Sequence, residues 1–110
     1  PKGYQVFPTE VENFIEDSFK DIIESVGVVG VEHETYSEAI IAFVQPKEGA
    51  SVAVDKINAA MKDLASYKRP SHIEIIDEIP LNRVSKTDYM ILKSEANKIK
   101  ENLQENGLWK

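Results

Sequence analysis

A chain of 110 residues with 19 acidic and 13 basic side chains, net −6, has room for one modest core and offers no basic face to a nucleic-acid backbone. It has no cysteine, hence no disulfide framework and no thiolate metal site, and its two histidines, His33 and His72, lack metal-ligand spacing. No apolar run approaches the roughly 20 residues of a membrane span and no signal peptide is visible, so a soluble, cytoplasmic single domain covering residues 1–110 is expected.

The chain opens on Pro1-Lys2-Gly3-Tyr4-Gln5-Val6-Phe7-Pro8, which lacks an initiator methionine and reads as a loop-to-strand passage. A piece of a longer protein is the expectation. Pro8 followed by Thr9, Glu10 and Glu12 makes a good first helical turn, since proline suits the first position and carboxylates suit the helix dipole. Val11, Phe14, Ile15, Phe19 and Ile22 then recur at helical spacing. Phe7 falls at the N-cap and has no side-chain acceptor to close that end.

Ser25–Val31 is β-branched and punctuated by Gly27 and Gly30, a strand that something approaches closely. His33–Ser37 reads as a polar loop, with His33 solvated between Glu32 and Glu34. Ala39–Val44 is a second strand, apolar on both faces and therefore central. Pro46–Gly49 ends it. Ser51 is positioned to cap a helix carrying Val54, Ile57, Ala60, Met61 and Leu64. Arg69-Pro70 closes that region, and Ile73–Ile79 reads as a third strand. The last helix runs from about Asp88 to about Glu105, with Tyr89, Leu92, Ala96, Ile99 and Leu103 on one face. Trp109 either tethers that helix or marks an exposed tail. The expected fold is α+β: a small three-stranded sheet packed with three helices in the order αββαβα, after a short N-terminal loop or strand.

The most informative stretch is Pro80–Asp88, a polar loop between the third strand and the last helix. Lys86 stands at its tip, beside the positive end of a helix dipole, where a cation is unfavourable unless an anion meets it. Asn82, Arg83, Lys86 and the amides of the helix start together suit a phosphate or carboxylate, and Lys68 in Tyr67-Lys68-Arg69-Pro70 is a further candidate anion contact. The ordinary alternative is an exposed surface lysine on a loop. No glycine-rich phosphate loop accompanies it. Glu10 and Glu12 have a sufficient explanation in the helix start.

Taken together, these segments resemble the C-terminal domain of adenylate-forming enzymes. Gly3–Glu12 is similar to its GxxIxPxEIE opening, Val28-Val29-Gly30-Val31 and Glu38–Val44 to its VVGV and EAVVAFV strands, Tyr67–Pro70 to its YKxP loop, and Ile79–Lys86 to its LPxxxxGK motif. The elements occur in the family's order over nearly the whole chain, closest to acyl- and aryl-CoA ligases. The resemblance implies a two-step reaction: a carboxylic acid and ATP give an acyl-adenylate and pyrophosphate, and CoA then displaces AMP after the small domain rotates. It implies that Lys86 is the adenylation lysine and that Gly3, Tyr4 and Gln5 line the pantetheine tunnel. ATP and CoA are then co-substrates, with Mg2+, the ATP site and the acid pocket in an N-terminal adenylation domain that is this domain's partner, so the chain alone is expected to be inactive. Ser85 replaces the glycine that usually precedes the lysine, a change tolerated at negative φ. Two other readings are the C-terminal part of a peptide-synthetase adenylation domain and a stand-alone binding module. Neither the acid nor the oligomeric state is legible.

Overall fold

The computed structural model describes residues 7–33, 38–64 and 69–109; the expected N-terminal loop or strand and most of the polar loop after the first strand lie outside them. Helix α1 (Pro8–Ser18) begins with proline in its first turn and with Phe7 as an N-cap that makes no side-chain bond. Strands β1 (Ile23–Glu32) and β2 (Glu38–Pro46) pair antiparallel. Helix α2 (Val54–Ala60) runs into a 3-10 turn at Met61–Asp63, strand β3 (His72–Ile75) pairs parallel to β2, and α3 (Tyr89–Glu105) completes the chain.

The sheet order is β1-β2-β3, so the strand that is apolar on both faces is the central one. On one face Val26, Val28, Ile40, Ala42 and Val44 bury against Val11 and Ile15 of α1 and Ile57 and Met61 of the α2 region. On the other, Val29, Val31, Ile41 and Phe43 meet Leu92 and Ala96 of α3, together with Ile79. The sheet thus lies between helices, as two-sided apolar strands require. Gly27 lets α3 come close, because a Cβ there would collide with the buried Leu92 side chain.

Three expectations are corrected. The third strand stops at Ile75, not Ile79. Ile76 makes one last amide bond to Val44 O at 2.9 Å, and β2 then reaches Pro46, which has no N–H to continue a ladder. Ser51 does not cap α2: the N-cap is Ala53, without a side-chain bond, because 51–53 stays outside the helix while Val52 and Val54 pack on the core. Tyr89 leaves the apolar face of α3 and is 45 % exposed, its ring beyond the last core contact made by Leu92.

The C-terminal end of α3 closes on itself. Gly107, at φ 69°, lets Leu108 N bond Leu103 O at 2.8 Å and Gly107 N bond Gln104 O at 3.1 Å, a Schellman ending that turns the chain back. Trp109 then packs on the Val29–Phe43 side of the core, 5.6 Å from the His33 ring. It is a tether, and it half-covers the histidine that was expected to be solvated. Lys100 Nζ lies 5.9 Å from the indole centroid and donates to Glu32 O at 2.6 Å.

Candidate functional site

The Lys86 loop is a small hairpin held by one residue. Asn82 Oδ1 accepts from Val84 N at 3.0 Å and Lys86 N at 3.1 Å. The Asn82 backbone pairs with Lys86 O at 2.8 Å and accepts Ser85 N at 3.0 Å, and below it Leu81 bridges Thr87 while Asp88 N donates to Pro80 O at 2.9 Å. Asparagine suits the position because its short amide mimics a turn of backbone. Its oxygen is therefore committed to the loop's own amides.

Ser85 stands at φ 62°, in the left-handed region, so the condition under which serine is easily tolerated, a negative φ, is not met. Three-residue hairpin loops close on a left-handed residue, and glycine fits there without a Cβ penalty of about 1–2 kcal/mol. Serine in that place carries the Cβ penalty that glycine avoids.

Two of the amides at the start of α3 are already taken. Asp88 caps the helix, its Oδ1 accepting from Met90 N and Ile91 N at 3.1 Å each. The cap supplies the negative charge that the dipole favours next to Lys86 and stabilises the helix by about 1 kcal/mol. Arg83 and Lys86 are exposed, and neither side chain has a polar partner among the described residues. Around them the loop is less polar than its sequence suggests: Val84 is 70 % exposed and Met90 85 %, with Leu81 and Ile91 about half exposed. Two cations without a polar partner among the described residues thus share the stretch 81–91 with four exposed apolar side chains.

Other candidates sort differently. Gly3, Tyr4, Gln5 and Lys68 lie outside the described residues. Arg69 serves the fold, with Nε on Leu64 O at 3.1 Å and Nη2 on Lys62 O at 3.3 Å, satisfying carbonyls at the end of the 3-10 turn. A groove of about 380 Å³ between β3 and α3 is floored by Phe43, Ile76 and Leu92 and edged by Glu74, Glu78 and Glu95. Its carboxylates repel phosphate.

Glu12 has a role beyond the helix start. Its Oε1 accepts Val28 N at 3.0 Å, and both its oxygens lie 2.9 Å from the Tyr89 hydroxyl. Burial, and then the bond to Glu12 with its negative charge, push the Tyr89 phenol up to about 12, against a smaller opposing contribution from Thr87. Glu16, one turn along α1, is raised by burial first and then by the charges of Glu12 and Asp17. The residues of this link are far apart in sequence; the one local hint is a tyrosine in the first turn of a helix whose core begins three residues later.

A family model for the AMP-binding enzyme C-terminal domain matches residues 10–86. The chain is 33% identical over 106 residues to a 2-succinylbenzoate–CoA ligase of Geobacillus sp. (strain WCH70), covering 96% of this chain and 20% of the ligase. It is 41% identical over 85 residues to the enzyme of that name from Geobacillus kaustophilus (strain HTA426), covering 76% and 17%. Apo MatB from Rhodopseudomonas palustris superposes with a TM-score of 0.77 at 26% identity, covering 88% of this chain and 19% of MatB. The chain spans about a fifth of the length of the curated relatives it matches.

Proposed function

Because the chain belongs to the AMP-binding enzyme C-terminal domain family, we propose that residues 1–110 form the mobile C-terminal domain of a cytoplasmic acid–CoA ligase. The ligase joins a carboxylic acid to CoA through an acyl-adenylate. The acid's carboxylate attacks the α-phosphorus of ATP and pyrophosphate leaves; the CoA thiol then attacks the acyl carbon, AMP leaves, and the thiol proton passes to solvent or a base. ATP, Mg2+ and the acid occupy the N-terminal adenylation domain, this domain's partner. Gly3, Tyr4 and Gln5 contribute to the pantetheine path, while Arg83, Lys68 and the amide nitrogen of Asn82 are further anion contacts. The isolated domain is inactive.

The carrying observation is Lys86: a cation on a pinned loop, with no polar partner among the described residues and with exposed Leu81, Val84, Met90 and Ile91 in the same loop and the helix turn that follows it. Such a side chain completes a site elsewhere. Docked against the partner domain, its ammonium meets the charge that develops between carboxylate and α-phosphate, while burial of the exposed apolar side chains of the stretch excludes water and strengthens the attraction. Two unit charges about 4 Å apart interact by roughly 4 kcal/mol at an effective dielectric of 20, equivalent to a rate factor of about a thousand. Lysine suits this task because it is a compact point charge on a flexible stem.

In the full-length ligase Lys86→Ala should slow pyrophosphate release by up to about a thousandfold while thioester formation from pre-made acyl-adenylate persists. Equal loss in both half-reactions would refute the assignment.

A further inference from the structure

β1 is an edge strand, and outward amides on such an edge ordinarily face water or another strand. Val28 N–H instead donates to Glu12 Oε1 at 3.0 Å, and the same carboxylate accepts the Tyr89 hydroxyl at 2.9 Å. Glu12 belongs to α1, on one face of the sheet; Tyr89 is the first residue of α3, on the other. One carboxylate therefore ties the two helices together around the β1 edge of the sheet.

The tie ends three residues from Lys86. Between buried Ile79 and buried Leu92, every residue is exposed or half-buried. Hydrogen bonds within 80–91 shape the loop but do not orient it on the domain. Among the described residues, the Tyr89 hydroxyl makes the one side-chain hydrogen bond from this stretch to another helix or strand. Because Thr87 and Asp88 run straight into the first turn of α3, the direction of that turn sets the direction of the hairpin.

We infer that Glu12 and Tyr89 are positioning residues for the adenylation step, fixing the Lys86 hairpin against α1 and the β1 edge so that domain docking delivers the ammonium in register. The inference rests on the assignment of Lys86 to adenylation. A carboxylate is apt for the junction because it has lone pairs enough for two donors at once, one on the backbone and one on a side chain. Tyrosine is apt because its rigid ring spans the distance with few torsions to order. Misplacement of a reacting group by an ångström is enough to lower rates about a hundredfold, and loosening one exposed tie gives a smaller part of that.

The test uses the full-length ligase with both half-reactions measured separately. Tyr89→Phe removes only the hydroxyl; it should slow adenylation roughly threefold to tenfold, leave KM for ATP within about twofold, and spare thioester formation from pre-made adenylate. Glu12→Ala should give a similar or larger loss, Glu12→Gln should recover most of it because its amide oxygen still accepts from both donors, and adding Tyr89→Phe to Glu12→Ala should slow the enzyme no further. A merely structural tie would lower both half-reactions together through the folded fraction. That pattern, or an unchanged Tyr89→Phe, overturns the inference. Lys86→Ala run in parallel separates the two levels. If Lys86→Ala is adenylation-selective and Tyr89→Phe is not, the positioning role alone falls; if Lys86→Ala is unselective, both fall.

Discussion

The two ends of α3 are finished in opposite ways. At the C-terminal end the chain turns at Gly107, satisfies its last carbonyls and lays Trp109 back on the core beside His33 and Lys100. At the N-terminal end Asp88 bonds two of the first amides, yet Met90, Ile91, Leu81 and Val84 stay exposed along the stretch that carries Lys86. Capping is local and is present at both ends. Side-chain burial differs in degree: at one end Trp109 packs on the core and Leu108 stays 64 % exposed, while at the other four large apolar side chains stay exposed. Exposed apolar surface, where it is contiguous, commonly marks an interaction site.

Altering either end sharpens this contrast. The largest effect belongs to the open end and concerns rate: Lys86→Ala, read in adenylation by the full-length ligase, should leave the thermal midpoint of the domain unchanged, since an exposed side chain without a partner contributes within about 0.5 kcal/mol. The closed end should show the reverse. Trp109→Ala is expected to destabilise the domain by about 2 kcal/mol, below the roughly 3–5 kcal/mol of a fully buried tryptophan, with no selectivity between half-reactions. Trp109→Phe should restore most of that, because the indole N–H is buried without an acceptor among the described residues. A stability loss at Lys86, or none at Trp109, would break the comparison.

Ser85→Gly is a smaller probe of the open end. Relief of the left-handed serine should stabilise the hairpin by roughly 1 kcal/mol, less what glycine gains in the unfolded chain, and unfolding with denaturant measures the balance. The smallest effect is that of Glu16, whose raised pKa means that the folded state binds its proton more tightly than the unfolded chain does. Stability from that proton is present below the ordinary pKa of 4.5 and is lost as pH rises through the higher folded value. Glu16→Gln should therefore stabilise the domain at neutral pH by roughly 0.2–0.5 kcal/mol, the usual size of an i,i+4 repulsion, and the gain should vanish with acid and shrink with salt.

Much of this was legible in the chain because it is local. Helical spacing marks α1 and α3, Asp88 followed by a helical run marks a cap, and Ala39–Val44, apolar at every position, marks the central strand. The segments Gly3–Glu12, Val28–Val31 and Ile79–Lys86 carry the family resemblance, and with it the expectation for Lys86. Other features failed for physical reasons. Ile73–Ile79 looks like one strand, but its length depends on Pro46 in a neighbour 30 residues away in the chain, at the point where that neighbour stops offering amides. Ser51 is a good cap by type, yet packing of Val52 and Val54 decides where α2 starts.

The sequence by itself determined the elements, their order and the presence of an unusual lysine at a loop tip, since periodicity and turn chemistry act over a few residues. Only the tertiary structure decided which amide meets Glu12, that Tyr89 comes round the sheet edge to the same carboxylate, that Ser85 is held at φ 62°, and that Trp109 folds in while Met90 stays out. Each of these depends on which surfaces the topology brings together, a property of the packed sheet and helices that no local run of residues encodes.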